Sequence, residues 1–272
     1  MDLLLAINWN VDPEIFGIGS LSIRWYGLTW ALSFLLGQYV ITKFYLIDGR
    51  TEKEVDNLAI YIILGSILGA RIGHCLFYGY DAALGYNPYL RNPFDILKIW
   101  EGGLASHGGG FGVFLAMWLY VRKTQGISFL WLADRVSVIT LLSGALIRFG
   151  NLMNSEIVGK ATDLPWGFNF LQLNENPVIT RHPAQLYESI TCVIMFVILL
   201  WAYYKTDIKQ FEGRMFSIFL IWVFALRFCY EFLKENQADF ESSLTLNMGQ
   251  ILSIPMVLAG VFLLVNSFRK KA

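Results

Sequence analysis

Seven stretches of this chain are long and apolar enough to cross a bilayer, and that feature limits what it can fold into. They run approximately Leu21–Ile41, Leu58–Phe77, Leu104–Val121, Ile127–Leu146, Ser189–Tyr204, Met215–Leu233 and Ile251–Phe268. A hydrocarbon core about 30 Å thick calls for roughly 20 apolar residues in a helix. Within it, backbone polar groups must find partners inside the protein, which a helix provides for itself. The expected fold is therefore all-α: a polytopic integral membrane protein, a single membrane domain over residues 1–272 with seven transmembrane helices. The fifth stretch is short unless it begins near Pro183, where proline suits a first helical turn. Composition agrees, since 56% of residues are hydrophobic and 15% charged, too apolar for an ordinary soluble domain. A formal net charge of zero leaves no basic footprint for nucleic acid. Cys75, Cys192 and Cys229 lie scattered in apolar runs; their spacing suggests neither zinc nor a disulfide framework, and they read as small hydrophobes. Met1 to Gly19 has acids but no basic start, unlike a cleavable signal peptide.

Basic residues orient the spans. One set of connections holds Lys43, Arg50, Lys53, Arg122, Lys123, Lys205, Lys209, Arg214, Arg269, Lys270 and Lys271; the opposite set holds fewer, namely Arg91, Lys98, Lys160, Arg181 and Lys234. The richer set is expected in the cytoplasm, with the N-terminus outside and the C-terminus inside. The longest connection, residues 151–188, then forms a small extracytoplasmic cap. Its turn-like stretches, Asp163-Leu164-Pro165-Trp166-Gly167 and Asn174-Glu175-Asn176-Pro177, suit a packed loop.

With that orientation, polar residues gather at the outer ends of all seven spans. They are Arg24 and Tyr26, then Arg71 with His74 three residues on, then His107 among glycines. Arg148 follows, then His182, Gln185 and Glu188, then Arg227 with Glu231 four residues on, and finally Gln250. Residues three and four apart share a helix face. Snorkelling side chains would be expected at both ends, so the asymmetry predicts a cavity open to the outer leaflet. The densest stretch is Arg148-Phe149-Gly150-Asn151-Leu152-Met153-Asn154-Ser155-Glu156-Ile157-Val158-Gly159. Gly65, Gly69 and Gly73 form a stripe that reads as close helix packing. Asp134 and Arg135, towards the inner side, read as structural.

Two arginines at headgroup depth suit a phosphate diester, because guanidinium forks bind phosphate oxygens in pairs and stay charged. A histidine, with a reference pKa of about 6.5, can accept a proton near neutrality. These positions hold no acid-rich cage or Cys/His cluster, so catalysis is expected without a metal or other cofactor. The residues by themselves point to action on a phospholipid headgroup and do not name a reaction.

The motifs resemble the bacterial prolipoprotein diacylglyceryl transferases. The likeness runs in order through Arg24-Trp25-Tyr26-Gly27, Gly69-Ala70-Arg71-Ile72-Gly73, the Gly102–Gly110 run with His107, Arg148–Gly159, Arg181-His182-Pro183-Ala184-Gln185-Leu186-Tyr187-Glu188, Arg227 with Glu231, and Gly249-Gln250-Ile251-Leu252-Ser253-Ile254-Pro255-Met256. The resemblance implies a plasma (inner) membrane enzyme of bacteria. Such an enzyme moves the diacylglyceryl group of phosphatidylglycerol, a membrane lipid, onto the lipobox cysteine of a prolipoprotein signal peptide. It forms a thioether and releases glycerol phosphate, the first step of lipoprotein maturation. The family's essential tyrosine and histidine fall on Tyr26 and His107. Its signature falls on Arg148, Asn151, Asn154, Glu156 and Gly159, and its later pair on Arg227 and Glu231.

The implied roles are His107 as proton acceptor, Arg148 and Arg227 clamping phosphate, Tyr26, Asn151 and Asn154 orienting the headgroup, and Glu231 holding Arg227. Arg71, His182 and Gln185 join Glu156 and Gly159 as further substrate contacts. Departures from the family pattern are Ile147 and Leu152 in the signature, Val223 where a tyrosine is common, and Lys234 where arginine is common. A lipid or anion transporter using the same outward pocket is the alternative; it should show counterpart polar groups towards the inner side. An intramembrane protease is disfavoured because no Ser/Lys, Ser/His or paired-Asp arrangement lies at that depth.

Overall fold

The computed structural model describes residues 6–19, 21–79, 85–98, 102–103, 105–234 and 245–269. Leu104, where the third expected span begins, and Lys270 and Lys271 of the basic tail lie outside the described residues. The chain is mostly helical, and among the described residues six helices are long and apolar enough to cross a membrane. These are α1 (Trp25–Ile47), α2 (Glu52–Phe77), α5 (Phe129–Met153), α6 (Ala184–Lys205), α7 (Arg214–Tyr230) and α8 (Met248–Arg269); the spanning length of the α7 segment includes the 3₁₀ turn Glu231–Leu233 that follows it. Between α2 and α5 lie the single turn α3 (Pro88–Arg91) and α4 (Ser106–Lys123). The third expected span falls on α4, which is a helix of 18 residues. Its glycines and its terminal Arg122 and Lys123 keep it out of the six.

Helix limits differ from the sequence expectation in instructive ways. Leu21–Arg24, expected to begin the first span, instead forms strand β3, which pairs antiparallel with β2 (Glu14–Ile18). Apolar content alone cannot separate the two; the alternation Leu-Ser-Ile-Arg has the period of a strand. Gly19 carries φ +63° between the strands, a left-handed backbone that glycine adopts without penalty. Arg24 therefore lies in a strand, and Tyr26 lies in the first turn of α1, which begins at Trp25. At the fourth span, α5 continues past Leu146 to Met153, so Arg148 and Asn151 sit on regular helix. The fifth expected span is α6, which starts directly after Pro183.

Contacts divide the chain into two compact units, Met1–Ile41 with Asp134–Ala272, and Thr42–Ala133. In the second unit α2 packs along α4. A Cβ added at Gly69 would meet Gly112 Cα at 2.8 Å, and one at Gly73 would meet Gly108 Cα at 2.8 Å. The glycine stripe thus lets two backbones touch, which is how helices gain dispersion contact where the hydrophobic effect is weak. Ala105 N donates to Ala70 O at 2.9 Å and ties the start of α4 to α2.

In the first unit α7 packs on α8, with Gly260 against Leu220 and Ile221. Asp134, fully buried, accepts from the backbone N–H of Gly213 and Phe216, both at 2.7 Å. It satisfies donors that the first turn of α7 cannot pair internally, while the Arg135 guanidinium lies over the Tyr203 ring at 5.8 Å. Both are structural, as expected.

Among the described residues five short strands add to the helices. β1 (Ile7–Trp9) pairs parallel with β4 (Phe168–Phe170), which pairs antiparallel with β5 (Thr180–Arg181). Leu152, Phe168 and Phe170 form a buried cluster with Trp9, Phe149, Val158 and Leu186 against it. Trp9 Nε1 donates to Leu152 O at 3.0 Å. Part of the connection 151–188 is thereby anchored on the end of α5.

Candidate active site

Arg148 occupies the penultimate turn of α5. Its Nη1 donates to Asn151 Oδ1 at 3.3 Å, one helical turn on. Asn151, 3% exposed, donates to Glu156 Oε2 at 3.1 Å, and Asn154 donates to Glu156 Oε1 at 3.1 Å. The two asparagines therefore grip one carboxylate, which returns beneath them because the chain turns sharply after the helix. Ser155 and Ile157, on either side of Glu156, have φ of 54° and 55°. For a β-branched residue this backbone costs on the order of 1–3 kcal/mol and persists where neighbours over-determine it. One neighbour is Gln185, buried in the first turn of α6, whose amide donates to Glu156 O.

Gly159 is the joint that follows. Its N–H donates to His182 O at 2.9 Å, and it forms an isolated bridge with Lys234. A Cβ there would lie 2.6 Å from His182 Cβ and 2.8 Å from Leu233 O. Glycine is required by close approach on both sides. His182 faces Tyr187, with Nδ1 and the hydroxyl 3.3 Å apart, and Trp166 Nε1 donates to that same hydroxyl at 3.1 Å.

The charged groups then close into one network. Arg148 Nε pairs with Glu188 Oε2 on α6, and Lys234 Nζ pairs with Glu188 Oε1. Lys234 also lies 3.5 Å from Glu231 Oε1, and Arg227 Nε lies 3.8 Å from the same oxygen. Asn247 donates to Glu231 Oε2 at 3.1 Å. Gly249 leaves room for this carboxylate, since a Cβ there would be 2.6 Å from Glu231 Cδ. Lys234 is 4% exposed and Glu231 8%, a depth at which unpaired charge would be costly.

Arg148, Glu188 and Arg227 line a cavity of about 180 Å³ between α5, α6 and α7. Its further wall is mainly apolar, with Gly144, Cys192, Trp222 and Val223. The valine thus faces the cavity at the position where the resemblance would put a tyrosine. Tyr230 lines it too, its hydroxyl 3.4 Å from Thr191 Oγ1.

The structure brings together most of the expected site. Arg148, Asn151, Asn154, Glu156, Gly159, Gln185, Arg227 and Glu231 belong to the first unit, along with His182. Tyr26 is in this unit too, its ring 3.1 Å from where a Cβ of Gly150 would be. Glu188 and Lys234 complete the network, although sequence reasoning left both outside the site. Their signal was present: Glu188 was among the polar residues at the outer ends of the spans, and a carboxylate at that depth needs a cation.

His107 and Arg71 lie in the second unit. His107 is exposed in the first turn of α4. Of the glycines around it, Gly108 is committed to α2, while a Cβ at Gly110 would meet nothing within 4 Å. Arg71 is buried and donates to the carbonyls of Ile96 at 2.9 Å, Asp95 at 2.8 Å and Gly102. Its guanidinium also lies 5.2 Å from the Tyr89 ring centroid. Expected as a substrate contact, Arg71 has its fork occupied by the connection that leads to α4.

Apolar helices of spanning length, with an ion-paired cavity set among three of them, define a polytopic integral membrane protein. The prolipoprotein diacylglyceryl transferase family matches residues 13–266, and the chain belongs to that family. It is 46% identical to the phosphatidylglycerol–prolipoprotein diacylglyceryl transferase of Tolumonas auensis, over 97% of this chain and 98% of the relative. Identity is 42% with the protein of that name from Chloroherpeton thalassium, over 99% and 97%. It is 36% with the one from Vibrio cholerae, over 96% and 93%.

Proposed function

We propose that the protein transfers the diacylglyceryl group of phosphatidylglycerol to the cysteine thiol of a prolipoprotein lipobox. The observation that carries this reading is one cavity lined by Arg148 and Arg227, each paired with a carboxylate. The relatives' names supply the two substrates. The thiolate sulfur attacks the glyceryl carbon that bears the phosphate oxygen. A C–S bond forms, the C–O bond breaks, and the electron pair leaves with glycerol phosphate. Charge grows on the departing phosphate, so two guanidinium groups stabilise the transition state more than the bound lipid. Asn151, Asn154, Glu156 and Tyr26 hold Arg148 and the headgroup in place, and Glu231 holds Arg227. His107 takes the thiol proton, since a free thiol with a pKa of about 8.5 is largely protonated at neutrality.

In this reading the whole chain is one membrane domain with seven spans, α4 being the third. The N-terminus and the 151–188 cap lie outside, the C-terminus lies in the cytoplasm, and the cavity faces the outer leaflet. The bias of basic residues supports that orientation. Arg71 is better assigned to holding the α2–α4 connection than to binding lipid. The transporter alternative finds no support in the names of the relatives, and its expected inner counterpart, Asp134 with Arg135, is engaged in capping α7 and facing Tyr203.

Purified protein, labelled phosphatidylglycerol and a lipobox peptide test the reaction; lipid on the peptide is expected, and its absence would refute it. His107→Gln separates the proton acceptor from a binding residue. At saturating lipid the variant should be slow at neutral pH and partly recover as pH rises, because more thiol ionises unaided. An unchanged maximal rate with a parallel pH profile would remove His107 from that role.

A further inference from the structure

The charged network contains more than a clamp requires. Among the described residues it joins three cations, Arg148, Arg227 and Lys234, to two carboxylates, Glu188 and Glu231. Glu188 is the member that touches two cations through separate oxygens, Oε2 to Arg148 and Oε1 to Lys234. It also lines the cavity. Its bond to Arg148 uses Nε, one of the donors a bidentate phosphate contact would need.

A site of this kind has a product problem. Under the proposed reaction the bound lipid is a phosphate diester with one negative charge. The product is a monoester with a second pKa of about 6, hence about −1.5 to −2 at neutral pH. Fixed cations that attract the first would hold the second more firmly. The cluster opposes this with its own anion: three cations less two carboxylates leaves one net positive charge, matched to the diester and short of the monoester.

We propose that Glu188 is a positioning and release residue, an internal carboxylate that holds Arg148 in the empty site, yields it to the lipid phosphate while remaining on Lys234, and re-pairs with it to displace glycerol phosphate. Lys234, buried and paired with Glu188, holds the carboxylate in place when Arg148 turns to the lipid. This rests on the transferase reading above, but its main test does not need turnover.

The test is equilibrium binding of labelled glycerol phosphate to the full-length protein in detergent, for wild type, Glu188→Gln and Glu188→Asp, with lipidation kinetics on the same samples. Removing one negative charge beside two cations should tighten glycerol phosphate binding roughly tenfold or more in Glu188→Gln. Its kcat should fall while the KM for phosphatidylglycerol does not rise. Glu188→Asp keeps the charge and should bind glycerol phosphate within about threefold of wild type. A purely structural ion pair would lower active protein and kcat in both variants without tightening product binding. Product affinity in Glu188→Gln within about twofold of wild type would overturn the proposal. Should that variant not accumulate, Lys234→Gln removes a cation and should weaken product binding by a similar factor; no change there would overturn the proposal equally. A wild type that transfers no lipid to the peptide would instead defeat the transferase reading.

Discussion

Arg71 and Arg148 each sit near the end of a long helix and each form several hydrogen bonds, yet their surroundings assign them opposite work. Arg71 gives its fork to backbone carbonyls of the 95–103 connection. Among the described residues those acceptors are neutral, fixed by the chain and four in number, Asp95, Ile96, Gly102 and Gly103. Removing the guanidinium would take a donor from each of them. Arg148 gives its fork to a carboxylate, Glu188, and to an amide. A carboxylate is an anion that another anion can replace at the same donors. What separates a structural arginine from a binding arginine in this molecule is therefore the exchangeability of the partner, which depth and residue type do not reveal.

The largest expected effect tests the frame around Arg71. A leucine at Gly112 would drive a side chain into the Gly65 and Gly69 backbone. Gly112→Leu should cost more than about 3 kcal/mol and be read as loss of folded protein in the membrane fraction; normal accumulation would mean that α2 and α4 can part. Next, Arg71→Met should destabilise by about 2–3 kcal/mol, from the lost charge-assisted hydrogen bonds that hold the 95–103 connection, measured as a lowered unfolding midpoint in detergent. The protein that remains folded should keep its KM for phosphatidylglycerol. A raised KM with unchanged stability would move Arg71 to the substrate and dissolve the contrast.

Arg148→Lys tests the other half. Charge is kept and the fork lost, so turnover should fall at least about tenfold, or roughly 1.4 kcal/mol, with the unfolding midpoint little changed; Arg227→Lys should behave similarly. Near wild-type lipidation in both would exclude the phosphate clamp. The smallest effect is expected at Gly249→Ala, where a methyl meets the end of the Glu231 side chain. That carboxylate can shift, so a loss of about threefold in rate, under about 1 kcal/mol, is expected. No loss would show that the position of Glu231 does not govern Arg227.

Much of this was legible in residue order. Length and apolarity marked the long helices, because a bilayer imposes both. The four-residue spacing of Gly65, Gly69 and Gly73 announced close packing, and the spacing of Arg227 and Glu231 announced a shared face. Strand β3 was not legible, since its four alternating residues run directly into an apolar helix and become a strand through pairing with Glu14–Ile18. Nor was the duty of Arg71, whose partners lie 24 to 32 residues away in a connection with no periodic signal.

By itself, then, the sequence determined the apolar segments, the residue types able to hold a phosphate and the glycines that allow close approach. Each of those is a property of local composition and spacing. Tertiary structure decided which charge faces which: Glu188 between Arg148 and Lys234, Lys234 between two acids, Gly159 pressed between His182 and Leu233. Those choices depend on residues from α5, α6 and the end of α7 meeting in three dimensions. The energy of a buried charge is set by its neighbours within a few ångströms, whatever their distance along the chain.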